Sequence, residues 1–341
     1  MNRSSYFNKI FFIILPILFC SCIQTSLKDT RRRLQLVNKH AKPETRRLYS
    51  YLQESSKECI LSGQHNYPGT ISRYTDEVYT LVGKKPIVWG QDFGFTYDDK
   101  DGIIFRDSII SEAIRKHKEG HIITLMWHAV RPIDKEPNGW KESVQNELTI
   151  EEWNALVTPG TPIYNHWLSQ LDIIATYLKR LQAENVPVIW RPYHEMNGSW
   201  FWWGGKTGKR GYKLLYRNMY DYFTNYHKLN NLIWVWNANE ISSPEIGSYN
   251  DYFPGLDVVD ILATDVYSGK YSIDEYKQLK QLSGGKPIAI GECGALPSPE
   301  VLAEQPDWCW FMCWAGFLQK SNSKEQISRV YNHKKVHSLN D

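Results

Sequence analysis

Short apolar runs recur along the chain and alternate with longer amphipathic stretches. Eight runs have the length and β-branched or aromatic content of strands: residues 59–65 (CILSGQH), 86–93 (PIVWGQDF), 121–128 (HIITLMWH), 187–194 (PVIWRPYH), 232–237 (LIWVWN), 258–265 (VVDILATD), 287–292 (PIAIGE) and 309–314 (CWFMCW). Between them, stretches such as 109–119, 164–184, 211–229 and 273–282 repeat apolar residues at helical spacing. Strands that are apolar on both faces and alternate with helices imply a parallel sheet covered on both sides. Eight such units in about 260 residues predict an α/β fold, a single-domain (β/α)8 barrel.

The polar residues of these runs gather at one end. Gln64 and His65, Gln91 and Asp92, His128, His194 and Glu195, Asn237, Asp265 and Glu292 each close a run. One such position could be the start of the next loop, but seven of eight runs share the pattern. In this barrel the C-terminal rim of the strands is where active sites are built.

Two of the rim residues form a chemically suggestive pair. Glu195 closes the fourth run and Glu292 the seventh, so both side chains can converge across the barrel mouth. Hydrolysis of a glycosidic bond needs two carboxyl groups, one to protonate the leaving oxygen and one to attack or to activate water. Either glutamate alone has a plainer reading, an ion pair with Arg191 or Arg131. The stretch WRPYHEMNGSWFWWG, residues 190–204, adds four tryptophans around His194 and Glu195. A buried indole must find a partner for its N–H, so a row of them beside one carboxylate suits stacking on a flat, uncharged ring such as a sugar.

Composition supports a neutral ligand. The 341 residues carry a formal net charge of +3, with no extended basic face, which argues against nucleic acid as a partner. Thr30 and the three arginines after it are a short cluster with the character of a solvated face. At the N-terminus, Arg3 and Lys9 precede the apolar run IFFIILPILF, which is too short for a helix to cross the ~30 Å core of a bilayer. A charged start followed by a short apolar run reads as an export signal. The following LFCSC resembles a bacterial lipoprotein signal, with the small Ser21 placing cleavage and acylation at Cys22. The expected organisation is a signal over 1–21, a tether over 22–45 and the barrel over 46–341. The protein is then lipid-anchored to the cell envelope, at an outer membrane, facing the periplasm or the cell surface.

Cys59, Cys293, Cys309 and Cys313 lack CxxC spacing and lie in or beside apolar runs, so they read as buried thiols; a disulfide between two of them stays open. Gly198 stands where an HExxH zinc motif would need a second histidine. Neither a metal nor a cofactor is expected.

The motif WRPYHEMNGSWFWWG closely resembles the acid/base signature of glycoside hydrolase family 26, typified by bacterial β-mannanases, and PIAIGECG resembles the strand carrying that family's nucleophile. The resemblance extends from LSGQH to WFMCWAG. It implies a retaining enzyme on a (β/α)8 barrel with no cofactor, Glu195 as general acid/base and Glu292 as nucleophile. By the same resemblance His128 lines the central sugar site, His194 lies near the sugar and the nucleophile, and Trp200 stacks a sugar beside the cleavage point. Asp265 and Tyr267, in ATDVYS, resemble a pair in which the tyrosine touches the nucleophile and the aspartate supports it. Trp314 resembles the tryptophan that floors the cleaved sugar's site.

One position departs from the family: Ala315 stands where several members place a large or charged residue, which removes an expected contact to the second or third sugar. The long connection 131–165, with Trp140 and Trp153, either walls one end of the cleft or packs against the barrel. The expected function is a monomeric retaining endo-β-1,4-mannanase acting on mannan, galactomannan or glucomannan, with release of mannobiose favoured by that long loop. The alternatives are a β-1,3-xylanase or mixed-linkage β-glucanase of the same family, and a cell-surface lipoprotein that binds glycan without cutting it.

Overall fold

Eight strands pair in chain order, all parallel, and the last closes on the first. They are β1 (Ile60–His65), β2 (Val88–Asp92), β3 (Ile122–Trp127), β4 (Val188–Pro192), β5 (Leu232–Asn239), β6 (Ile261–Val266), β7 (Ile288–Cys293) and β8 (Trp308–Cys313). Closure sets Trp310 and Phe311 of β8 against Leu61 and Ser62 of β1. This is the (β/α)8 barrel that the periodicity predicts. The computed structural model describes residues 34–97 and 100–341, and its compact unit runs from Gln35 to Asp341.

Every position of the eight strands is buried, which is why their sequences lack the polar alternation of a half-exposed sheet. Successive side chains point to opposite faces. Ile189, Ile233, Val235, Ala263 and Ala289 belong to one apolar cluster, whereas Trp190, Trp234, Trp236, Leu262 and Ile290 belong to the larger one that packs under the helices. Branched and small side chains fill the barrel, and indoles fill the wider space outside it.

The helical stretches fall close to their expected places. Helix α1 (Pro43–Ser55) precedes the barrel, and Tyr49 and Leu52 on it join the cluster of inward-facing strand residues. Helix α2 (Pro162–Ala183) opens with Pro162 behind the N-cap Thr161, whose side chain accepts from the Tyr164 amide. The stretch 211–229 is not one helix: α3 (Tyr212–Asp221) gives way to a wider π turn over Tyr222–Tyr226. Helix α4 spans Ile273–Leu282.

The compact unit starts earlier than the expected boundary at 46, at Gln35. The Val37 amide donates to Asp260 Oδ1 at 2.7 Å, Asn38 Nδ2 to the Leu229 carbonyl at 3.3 Å, and the Lys42 amide to the Asn230 carbonyl at 2.8 Å. Hydrogen bonds of this kind carry no hydrophobic signature, so residues 35–45 resemble a tether in sequence yet belong to the compact unit. The signal region and Cys22 lie outside the described residues. Among those described, no helix is long and apolar enough to cross a membrane. Cys59, Cys293, Cys309 and Cys313 are all free thiols, the last three buried.

Candidate active site

The site begins with an irregular turn after β4. Tyr193 and Glu195 both adopt left-handed backbone, at φ 48° and 54°, and neither is glycine. Such conformations cost of order 1–3 kcal/mol each and persist only where the surroundings enforce them. Here the motif supplies the enforcement. The Glu195 amide donates to the Asn237 carbonyl at 2.8 Å, and Trp203 Nε1 to the His194 carbonyl at 2.7 Å. Trp167 Nε1 holds the Tyr193 hydroxyl at 2.7 Å. Asn197 accepts from the Asn239 amide at 2.7 Å and donates to the Asn239 carbonyl at 2.8 Å. The sequence HEMN therefore reads as a pair of functional groups followed by the clamp that ties their turn to β5.

Glu292 stands across the mouth at the end of β7 and is 3% exposed. Its Oε1 accepts from Arg191 Nη2, its Oε2 accepts from the Tyr267 hydroxyl at 2.7 Å, and His194 Nε2 lies 3.9 Å from Oε1. The ion pair with Arg191 is thus real, and it is part of the site rather than an alternative to it. Arg131 pairs elsewhere, with Asp134 at 2.9 Å. Asp265 is fully buried, with Oδ2 accepting from Asn237 Nδ2 at 2.7 Å. Gly291 makes room for this cluster, since a Cβ there would fall 1.8 Å from Asn237 Oδ1.

The two glutamates meet different surroundings. Burial, and next the negative charge of Glu292, push the Glu195 carboxyl up to about 8, against the opposing hydrogen bond from Trp200 Nε1 to Oε2 at 2.7 Å. Both causes favour the protonated form of Glu195. Burial and Glu292 also raise Asp265 well above the usual carboxyl range. His194 and His65 are depressed by burial and by neighbouring cationic groups, so both are neutral rings. His128 Nδ1 lies 2.6 Å from Asp92 Oδ2, which fixes the ring's orientation. Burial raises the Asp92 carboxyl, but the His128 ring and the Gly94 amide outweigh it and bring the group below its ordinary value.

Aromatic faces line the rim. Trp314 is half-buried and stacks on His65 with ring centres 3.9 Å apart and planes 14° apart. Trp200 is half-buried beside Glu195. The other three tryptophans of the motif are not at the surface: Trp190, Trp202 and Trp203 are at most 1% exposed. Trp190 points outward under the helices because of strand alternation, and Trp202 donates to the Ala129 carbonyl at 2.8 Å. Of the four indoles, only Trp200 is placed to stack a ligand.

The long connection after β3 does both of the things expected of it. Trp140 is half-buried against Phe95, His128 and Phe201, at 4.5, 5.0 and 5.5 Å, whereas Trp153 packs inward and donates to the Arg210 carbonyl at 2.8 Å. Ala315 is buried at φ 30°, and its carbonyl accepts from Gln64 Nε2 at 3.1 Å.

His194, Asp265 and Glu292 bring donor atoms within 4.8 Å of one another. Arg191 already bonds Glu292 and Asn237 already bonds Asp265, so these donors serve a guanidinium and an amide and do not form a vacant cation cage.

The sequence profile of glycosyl hydrolase family 26 matches residues 37–340. The chain belongs to glycosyl hydrolase family 26. A mannan endo-1,4-β-mannosidase of Thermothelomyces thermophilus is 35% identical over 318 residues, covering 90% of this chain and 63% of the relative. Mannan endo-1,4-β-mannosidase A of a Piromyces species is 31% identical, covering 92% and 52%. The chain therefore spans somewhat over half the length of these curated relatives. A solved family 26 structure from Muricauda sp. MAR_2010_75 superposes with a TM-score of 0.85 at 45% identity, covering 89% of this chain and 98% of its own. A β-mannanase from a symbiotic protist of the termite Reticulitermes speratus, solved with a gluco-manno-oligosaccharide, gives 0.77 at 28% identity, with coverage of 90% and 96%.

In this family 26 chain, Glu195, Glu292, His128, His194, Trp200, Asp265, Tyr267 and Trp314 all meet at the C-terminal rim. Sequence reasoning left Asp92 without a role and gave Arg191 only a competing one. Asp92 carried a signal as a strand-end carboxylate. For Arg191 the signal was ambiguous, because a strand arginine and a strand glutamate reveal their pairing only when β4 and β7 face each other.

Proposed function

We propose that this family 26 protein is a retaining endo-β-1,4-mannanase. The observation that carries the reading is a pair of buried carboxyl groups in unlike settings: Glu195 beside Trp200, with burial and the nearby Glu292 raising its carboxyl, and Glu292 gripped by Arg191 and Tyr267. Glu292 attacks the anomeric carbon and forms a glycosyl ester, while Glu195 gives its proton to the departing glycosidic oxygen. Glu195, now ionised, takes a proton from water, and that water hydrolyses the ester. Two inversions leave net retention. His194, neutral and 3.9 Å from Glu292, is placed to bond a sugar hydroxyl beside the reacting centre. Trp314 and Trp200 offer indole faces to uncharged pyranose rings.

The choice of mannan over other β-glycans rests on the relatives named for it. We further propose that the enzyme acts as an exported monomer, held to the cell envelope by a lipid on Cys22.

Product analysis on linear mannan, galactomannan, β-1,3-xylan and mixed-linkage glucan, with the product anomer followed by NMR, tests the reading. Mannan oligosaccharides released as the β-anomer are expected. Preferential cleavage of another glycan, an inverted anomer, or binding without cleavage would each overturn it.

A further inference from the structure

The residue that follows β5 is Glu240, a carboxylate 5% exposed that the chemistry above does not use. We infer that Glu240 is a positioning residue for hydrolysis, clamping the turn after β6 so that the Tyr267 hydroxyl stays on the Glu292 nucleophile. The inference rests on the proposed double displacement.

Three donors from two consecutive residues converge on this carboxylate. Oε1 accepts from the Tyr267 amide at 2.8 Å and from the Ser268 amide at 2.6 Å, and Oε2 accepts from the Ser268 hydroxyl at 2.5 Å. Adjacent amides aimed at one oxygen form an anion-binding concavity, and charge-assisted bonds of this kind are the strong ones. The base of the clamp is itself fixed: the Glu240 amide donates to the Asp265 carbonyl at 2.9 Å, and its carbonyl accepts from Asn239 Nδ2 at 2.7 Å. The next residue is held as well, with the Ile241 amide donating to Glu275 Oε2 at 2.9 Å.

Tyr267 needs such a clamp. The residue is 36% exposed and its ring meets Phe317 edge-on at 5.5 Å, so packing covers only part of it. Its hydroxyl must nevertheless lie 2.7 Å from Glu292 Oε2, on the oxygen that Arg191 does not hold. A shift of the turn carries the hydroxyl away from the nucleophile, and misplacement by about 1 Å can cost on the order of 100-fold in rate.

Steady-state kinetics of a double-mutant cycle tests the inference, run on the β-glycan that the wild type cleaves fastest. Glu240→Ala should lower kcat by roughly 10- to 100-fold with KM little changed. Glu240→Gln should stay within a few-fold of wild type, because an amide oxygen can still accept from both backbone amides and its NH2 can donate to Ser268. In a Tyr267→Phe background, Glu240→Ala should cost less than about 2-fold more, since the two act through one contact. Multiplicative losses, a Glu240→Gln variant as poor as Glu240→Ala, or a fully active Glu240→Ala enzyme would overturn it. The substrate panel judges the mannanase reading separately, because the cycle is informative on whichever glycan is cleaved.

Discussion

Glu195 and Glu292 share one rim, yet the chain gives them different partners, and the partners set their work. In the proposed double displacement Glu292 attacks whatever the leaving group, so Glu292→Ala should lose activity on every substrate. In the same proposal Glu195 matters for the first step when the leaving oxygen belongs to a sugar and needs a proton. Glu195→Ala should therefore fall by about 10²–10⁴-fold on mannan. It should still form the glycosyl ester from an activated aryl mannoside, and added azide should restore turnover as β-mannosyl azide. Equal losses on both substrates with no azide rescue would reverse or abolish these roles. The raised Glu195 carboxyl also fixes a pH dependence. The proposed mechanism requires the proton, so kcat/KM should fall as pH rises through about 8. The folded state binds this proton up to about 8 while the unfolded state releases it near its ordinary value of about 4.3, so stability falls as pH rises across that window. Glu195→Gln cannot ionise, and its gain in melting temperature over wild type should widen from pH 5 to pH 8. A gap independent of pH would mean that the fold does not raise the Glu195 carboxyl.

At the scale of elements, β7 has no room for a side chain at Gly291. Gly291 sits between Ile290 in the outer core and Glu292 in the site, and its missing side chain is the space that Asn237 and Asp265 occupy. In Gly291→Ala the new carbon would lie 1.8 Å from Asn237 Oδ1 and 2.8 Å from Asp265 Oδ1. Both neighbours are short, buried side chains that cannot swing clear, so the strand must move. A loss of about 1–3 kcal/mol in urea unfolding, with a drop in kcat larger than any rise in KM, is expected. Wild-type stability together with wild-type kcat would show that the cluster yields more easily than its packing indicates. The turn after β4 works by the opposite device. Non-glycine residues hold left-handed backbone there because Asn197, Asn237 and two tryptophans bond around them.

For the whole molecule, the closed sheet puts the chemistry on one rim, and the N-terminal segment covers the apolar cluster inside the strands. If the chain is exported as proposed, Cys22→Ser should abolish labelling by a fatty-acid analogue and release the protein from the membrane fraction. Release by Cys20→Ser alone would move the anchor to the other cysteine. Neither substitution should alter kcat on soluble substrate, because the compact unit begins at Gln35.

Much of this protein was legible in the chain because it depends on local periodicity. Continuous apolar runs, helix spacing and polar residues confined to strand ends are properties of neighbouring positions, and they specified eight strands, their order and the rim that carries Glu195 and Glu292. The helix over 162–183 was readable for the same reason, since the stretch 164–184 repeats apolar residues at helical spacing. What the tertiary structure decided depends on residues far apart in sequence. It turned Trp190, Trp202 and Trp203 into core while leaving Trp200 on the rim, because the outcome depends on which face a strand or turn presents to its neighbours. It joined Arg191 to Glu292, Asp92 to His128, and Glu240 to the turn that carries Tyr267. It also drew residues 35–45 into the fold through bonds to Asp260 and Leu229. Hydrophobic pattern is written residue by residue along the chain, whereas the pairing of buried charges and amides is set only when strands distant in sequence come within about 3 Å.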